Sequence, residues 1–367
     1  MNPTKSSSFE TVGRLLESWR RVLLFSHAKP DGDALGSLAA MHRLLTSRGV
    51  AATIVTFDPI PGRYSFLQSY APMSMLGPEV TIVGYKAGAN QNTKVRASAP
   101  DTKAPSIIDP ATLDGIIVLD TCTYNQLDPI ADWLRHTNIP KLAIDHHVTR
   151  DELADHYLID ESAAATSLII YDVVRAVDWL IDAATAAALF VGIATDTGWF
   201  HHSNTDSRVF AASSDLIQRG ANPNALYEHL YQRETTGRFL LRAAVGKRLE
   251  LECDGRLALT MLPKSIFAEC GASMADTEDL VNEPLRIRSV LVSLMFVEQD
   301  NGVIRVGLRS REPLESGMPD IDVAAIAQSF GGGGHRRAAG ARLTGTLADA
   351  RARVTRLVMD SLPTRSP

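Results

Sequence analysis

At 367 residues the chain is long enough for two domains with their own cores, and 45% hydrophobic with 22% charged residues excludes wholesale disorder. Lys and Arg number 37 against 42 Asp and Glu, a net charge of −5. That balance argues against a protein that grips long nucleic acid along its backbone, and for a small or short ligand.

Cys122, Cys253 and Cys270 are an odd, scattered set without a CxxC pair. They fit a reducing compartment and offer neither a zinc nor a disulfide framework. The first residues lack the apolar stretch of a signal peptide, and no run approaches the ~18 apolar residues that span a bilayer. The expectation is a cytoplasmic protein with no membrane partner.

A short helix is predicted over 9–20, leading into a first strand, RVLLFSH (21–27). After a polar loop, DALGSLAAMHRLLTSRG carries Leu35, Leu38, Met41, Leu44 and Leu45 at helical spacing and closes at Gly49. The strand AATIVTFD (51–58) completes a βαβ unit, hence a parallel sheet. The polar segment 85–106 reads as a mobile surface loop or insertion. Two strands buried on both faces follow, GIIVLD (115–120) and KLAIDHH (141–147), with the helix PIADWLRH between them. SAAATSLIIYDVVRAV and AATAAALFVGIATDTG read as helices, and a charged helical stretch over 224–249 connects to a second half. There RLALTML, SVLVSLMFVEQD and GVIRVGLRS read as strands, followed by IDVAAIAQSF, the tract GGGGH and a last helix near 347–361. Strands with helices on one side predict a smaller α/β or α+β domain.

In HAKPDGD (27–33), Pro30 and Gly32 oppose a helix, so His27, Asp31 and Asp33 sit on a loop leaving the carboxyl end of the first strand. Asp120 ends GIIVLD, and Asp145, His146 and His147 end KLAIDHH. Loops at the carboxyl ends of parallel strands share one edge, where α/β proteins bind ligands. His27, Asp31, Asp33, Asp120 and His146 thus arrive at one place, and Asp196, at the end of an apolar helix, is the natural sixth member. Four Asp and two His without Cys favour Mn²⁺ or Mg²⁺. So many carboxylates repel one another unless cations compensate, and two divalent ions about 3.5–4 Å apart would do so while clamping a phosphoryl displacement. Taken singly, Asp120 reads equally as a helix N-cap and His146 as a hydrogen-bonded core histidine. Their convergence at three strand ends favours the metal site.

At these residues the chain resembles the DHH phosphoesterases. HAKPDGD, LDTC, the DHH triplet at 145–147 and GIATDTG look like the family's four motifs, in order. VNEPLRIRSVLVSLMFVEQDNGVIRVGLRS (281–310) and GGGGHRRAAG (331–340) resemble the DHH-associated domain of oligoribonuclease/pAp phosphatases, the nanoRNases. The resemblance implies an α/β protein with a parallel-sheet DHH metal-binding catalytic domain (1–225) and a helical connector (226–250). A smaller α/β DHH-associated substrate-binding domain (251–367) would follow, with a cleft between the two domains. Two Mn²⁺ are implied, with Mg²⁺ as the alternative. His27, Asp31 and Asp120 would hold one ion, and Asp33, Asp120, His146 and Asp196 the other, with Asp120 bridging. His147 would lie by the substrate phosphate, Asp145 would orient a histidine, and a water activated by both ions would be the nucleophile. Gln126, in TCTYNQL (121–127), stands where the family often has an arginine, a departure that bears on substrate preference.

Four glycines before His335 let a backbone approach a ligand closely, and RRAAGARL after it would present a helix N-terminus or a cationic edge to a phosphate. A lone glycine tract reads first as flexibility; the flanking His335, and Arg309 in GLRS, tilt it towards binding. By resemblance, Arg309, Gly333, Gly334 and His335 would bind the substrate's terminal phosphate or nucleotide end, and Asn204 would face the active cleft. Arg336 and Arg337 read equally as part of that patch or as solvated. His201 and His202 read as surface or cleft residues, and Cys122 as packing.

The implied activity is hydrolysis of short single-stranded RNA to 5′-mononucleotides and removal of the 3′-phosphate of pAp. A stand-alone cyclic-dinucleotide (c-di-AMP) or linear dinucleotide phosphodiesterase is the alternative. No stable long nucleic-acid partner is expected, and a homodimer is compatible with the reading. RecJ-type exonucleases generally add nucleic-acid-binding domains for which this length leaves little room, and DHH-type pyrophosphatases have a second domain without GGGGH.

Overall fold

Helix α1 (Phe9–Ser18) starts at Ser8, whose hydroxyl accepts the Thr11 amide, and delivers the chain to strand β1 (Arg21–Phe25). α2 (Gly32–Ser47) and β2 (Ala51–Thr56) complete the βαβ unit. Next come β3 (Met73–Met75), β4 (Val80–Ile82), β5 (Ser106–Ile108), β6 (Gly115–Leu119), α3 (Ala131–His136), β7 (Lys141–Asp145) and β8 (His156–Ile159). α4 (Thr166–Ala176), α5 (Ala183–Asp196), α6 (Ser207–Gln218) and α7 (Pro223–Tyr231) follow. The computed structural model describes residues 7–77, 79–83, 106–312 and 320–362, and these elements belong to the first of two units, Met1–Arg233. The segment 85–106, expected as an insertion, lies outside the described residues except for Ser106, which opens β5.

Six strands of this unit pair in parallel in the order β3-β2-β1-β6-β7-β8. The chain builds outward from β1 to β3, then returns to the other side of β1 with β6, so the winding reverses between β1 and β6. Val22 and Leu24 pack with α1, α2, α4 and α5 on one face, Leu23 and Phe25 with α3 on the other. Burial on both faces is why β1, β6 and β7 read as unbroken apolar runs.

The second unit, Glu234–Pro367, holds α8 (Thr236–Lys247), β9 (Leu249–Glu252), β10 (Leu257–Leu262), α9 (Ser265–Cys270), β11 (Val292–Glu298) and β12 (Val303–Ser310). α10 (Val323–Gln328), β13 (Gly333–His335), β14 (Ala338–Thr344) and α11 (Leu347–Ser361) complete it. Its sheet runs β13-β14-β12-β11-β10-β9 and is mixed, with β10 and β11 parallel and the other pairs antiparallel.

Three expectations change. The helical stretch over 224–249 is two helices, α7 and α8, parted where Thr235 caps α8 by accepting the Arg238 amide. Helices cover both faces of the second sheet rather than one. Val292, Leu294 and Phe296 pack with α10 and α11, while Met295 and Val297 pack with α8 and α9. RRAAGARL forms no helix: Arg336 and Arg337 make the turn between β13 and β14, where buried Ala339, Ala341 and Leu343 alternate with exposed residues. No helix among the described residues is long and apolar enough to cross a membrane.

α2 and α5 cross through glycines. A methyl group on Gly36 would lie 2.6 Å from the Ala188 carbonyl oxygen, and one on Gly192 would lie 1.9 Å from Ser167 Oγ and 2.5 Å from Asp33 Oδ1. Gly192→Ala is expected to lower the unfolding free energy by about 1–3 kcal/mol through overpacking. Urea denaturation reads this directly, and an unchanged midpoint would mean that the crossing has slack.

Candidate metal centre

β1, β6 and β7 end side by side, and Asp120 stands at their middle. It follows β6 with φ +62°, a left-handed conformation that Asp tolerates better than most residues, and is 2% exposed. His27 Nδ1 lies 2.9 Å from the Ala28 carbonyl oxygen, which leaves Nε2 facing Asp120 Oδ2 at 3.4 Å and Asp31 Oδ1 at 3.9 Å. His146 is arranged alike. Its Nδ1 lies 3.2 Å from the Ala163 carbonyl oxygen, and Nε2 faces Asp120 Oδ1 at 3.6 Å and Asp196 Oδ2 at 3.4 Å. A ring N–H donated to a main-chain carbonyl frees Nε2 for a cation, as in histidines that bind metals.

The aspartates are held by helix ends. Asp31 caps α2, its Oδ1 accepting the Asp33 and Ala34 amides at 3.1 Å each. α4 has no side-chain cap of its own at Ala165, and Asp33 takes that part from α2. Its Oδ2 accepts the Thr166 amide at 2.6 Å, and its Oδ1 accepts the Ser167 amide at 2.9 Å and the Ser37 hydroxyl at 3.2 Å. Asp196 ends α5, and its carbonyl accepts from Asn204 Nδ2 at 3.2 Å. The same amide reaches the Ala164 carbonyl at 3.3 Å. Asp145 Oδ1 accepts the His146 and His147 amides at 2.8 and 3.2 Å and lies 2.7 Å from His147 Nδ1.

The donor atoms of His27, Asp31 and Asp120 lie within 4.8 Å of one another, as do those of Asp33, His146 and Asp196, and those of Asp120, Asp145, His146 and His147. Burial, then Asp33, Asp31, Asp196 and Asp145, pushes the Asp120 carboxyl well above the usual carboxylate range. Asp196 is raised likewise by burial, Asp33 and Asp31. A raised carboxyl keeps its proton in the folded state where the unfolded chain has released it. Without cations, folding stability therefore falls as pH rises above the ordinary carboxylate range. Divalent cations remove that penalty, and a set of carboxylate oxygens and imidazole nitrogens without thiolate fits Mg²⁺ or Mn²⁺. Cys122 is buried, its thiol pushed up by burial and by Asp145, so it packs rather than ligates.

Arg309 lies on β12, its Nη1 donating to the Leu308 carbonyl at 2.9 Å, and burial lowers its pKa. Gly333, Gly334 and His335 form β13. At Gly334, with φ +139°, a Cβ would meet the Ala338 carbonyl oxygen at 2.4 Å, so hairpin packing alone demands glycine there. Arg336 and Arg337 both pair with Asp320, and Arg336 lies 3.5 Å from Asp322. His201 and His202 are exposed and belong to none of the three groups. Gln126 Oε1 accepts the Thr121 and Thr123 hydroxyls, and its carbonyl accepts the Ala28 amide at 2.8 Å, beside His27. Thr166, Ser167 and Ser37, which fasten Asp33, went unnoticed in the sequence. Ser37 alone has a local spacing to mark it, four residues after Asp33 on α2.

His147 is held above its ordinary pKa of 6.5, first by the hydrogen bond to Asp145 and against burial. Its imidazolium stabilises the fold fully below that value, and the contribution fades as pH rises through the folded-state pKa. In metal-free Asp145→Asn, an NMR titration of the His147 ring should show its pKa lowered. An unshifted ring would mean that Asp145 does not govern it.

The model described as the DHH family, N-terminal domain, matches residues 21–193, and the DHHA1 domain matches 262–360. Bifunctional oligoribonuclease and PAP phosphatase NrnA of Thermus thermophilus is 28% identical over 330 residues, 88% of this chain and 84% of that one. The protein of the same name from Bacillus subtilis is 24% identical over 333 residues, covering 90% and 91%. Among solved structures, an exopolyphosphatase-related protein from Bacteroides fragilis has a TM-score of 0.80 at 21% identity, over 96% of this chain and 95% of that one, a likeness of fold. With both domains present in order and such relatives along nearly the whole chain, the protein belongs to the DHH family of phosphoesterases.

Proposed function

We propose that the chain hydrolyses short oligoribonucleotides to 5′-mononucleotides and removes the 3′-phosphate of pAp, working with two Mn²⁺ ions. The grouping of Asp120 with five other donor residues carries this reading, supported by relatives named oligoribonuclease and PAP phosphatase. His27, Asp31 and Asp120 would hold one ion, and Asp33, Asp120, His146 and Asp196 the other. Ions bound there supply charge neutralisation, polarise the phosphate and activate a water.

The chain's own residues orient and donate. Asp120 turns one oxygen to each histidine, so a single carboxylate serves both positions. His147, its Nδ1 held by Asp145, keeps Nε2 for a phosphate oxygen or for the leaving alkoxide, to which it gives a proton. Both substrates present a phosphate ester on a ribose: a diester releases a nucleotide, a monoester inorganic phosphate. Arg309, Gly333, Gly334 and His335 would bind the nucleotide end through charge and main-chain N–H groups. Asn204 has committed its amide nitrogen to two carbonyls and has its oxygen left for substrate.

Asp120→Asn should lower turnover on the order of 100-fold or more while the protein stays folded. EDTA should abolish wild-type activity, and Mn²⁺ should restore it better than Ca²⁺, which prefers more ligands and looser geometry. Near-wild-type turnover of the variant at saturating Mn²⁺ would refute the two-ion reading. A net charge of −5 gives a long polyanion no long-range attraction. Cleavage should therefore be fast for roughly two to five nucleotides and fall beyond about ten, as 5′-labelled RNA of graded length at fixed salt would reveal. Equal rates on a long single strand and a dinucleotide would contradict this.

A further inference from the structure

We infer that Thr166 is the positioning residue that sets the plane of the Asp120 carboxylate and ties it to Asp33, an inference that rests on the two-ion reading above. Its hydroxyl donates to Asp120 Oδ1 at 3.1 Å and its amide to Asp33 Oδ2 at 2.6 Å. One residue thus holds a carboxylate from each candidate ion position, since Asp120 groups with His27 and Asp31, and Asp33 with His146 and Asp196.

The geometry gives the hydroxyl a specific task. Asp120 Oδ1 faces His146 and Oδ2 faces His27, at 3.6 and 3.4 Å. Serving both sides requires one setting of the terminal carboxylate torsion, which is intrinsically broad. The bond from Thr166 fixes that setting. Thr166 is fully buried, so the hydroxyl answers to neither solvent nor substrate. Threonines deeper in a helix turn their hydroxyls back on the preceding turn, as Thr195 does to the Val191 carbonyl at 2.8 Å. Thr166 is the first residue of α4, with no such turn before it, so its hydroxyl is free to reach across to β6.

The test compares Thr166→Val and Thr166→Ala, which remove the hydroxyl and keep the amide, with Thr166→Ser, which keeps both. Mn²⁺ affinity and stoichiometry are measured by calorimetry, and exchange coupling between the ions by EPR. Wild type and Thr166→Ser should bind two coupled Mn²⁺. Val and Ala should weaken one site by about 10–100-fold and lose the coupled signal. Their kcat should fall with KM little changed, while the metal-free variants still unfold in one cooperative transition, at a midpoint below wild type. Full affinity and coupling in Val or Ala overturns the inference. So does a Ser variant that behaves like Val, since packing of the methyl group would then be what matters, or failure of both Val and Ala to fold. A wild type that binds fewer than two Mn²⁺ removes the two-ion reading itself, and the inference with it.

Discussion

The constraint on which this molecule turns is the burial of Asp120 among four other aspartates that all push its carboxyl towards the neutral form. Taking a carboxylate out of water costs several kcal/mol unless hydrogen bonds and opposite charges compensate. Around Asp120 the Thr166 hydroxyl supplies part of that compensation, and cations held with the flanking histidines would complete it. Asp33, equally buried, is met by two main-chain amides and a serine hydroxyl. The positive end of α4 thereby faces a negative side chain instead of water.

The sheet is the means of assembly. Because β1 is flanked by β2 on one side and β6 on the other, the loops after β1, β6 and β7 open onto one edge where the winding reverses. α2 then starts at that edge and α5 ends there, so Asp33 and Asp196 come from opposite ends of two crossing helices. The small residues at the crossing are part of the site's geometry, for Gly192 abuts both Ser167 and Asp33.

In the second unit the charges divide differently. Arg336 and Arg337 stand conspicuously in the sequence but are neutralised by Asp320, whereas Arg309 is partly buried on β12, with the charge of Asp279 acting on it. The glycines are explained in part by the tight β13–β14 hairpin, where a Cβ on Gly334 would meet the Ala338 carbonyl oxygen. Conspicuous cations are a poor guide when nearby carboxylates already answer them.

The sequence alone was enough for the parallel sheet, the family and the convergence of His27, Asp31, Asp33, His146 and Asp196 near Asp120. Apolar runs buried on both faces end in short polar motifs, and strand ends in a parallel sheet share an edge whatever the loops contain. Residue types at those ends then declare an oxygen-and-imidazole chemistry. The helices on both faces of the second sheet, the strand that replaced a helix after His335, and the capping of α4 by Asp33 were decided only by the folded chain. Thr166 and Ser167 carry no periodic or compositional mark, because a hydrogen bond between residues more than 40 positions apart depends on where two elements finally pack. Local pattern specifies elements and their ends; the partners of a buried polar group exist only once tertiary packing has brought them within about 3 Å.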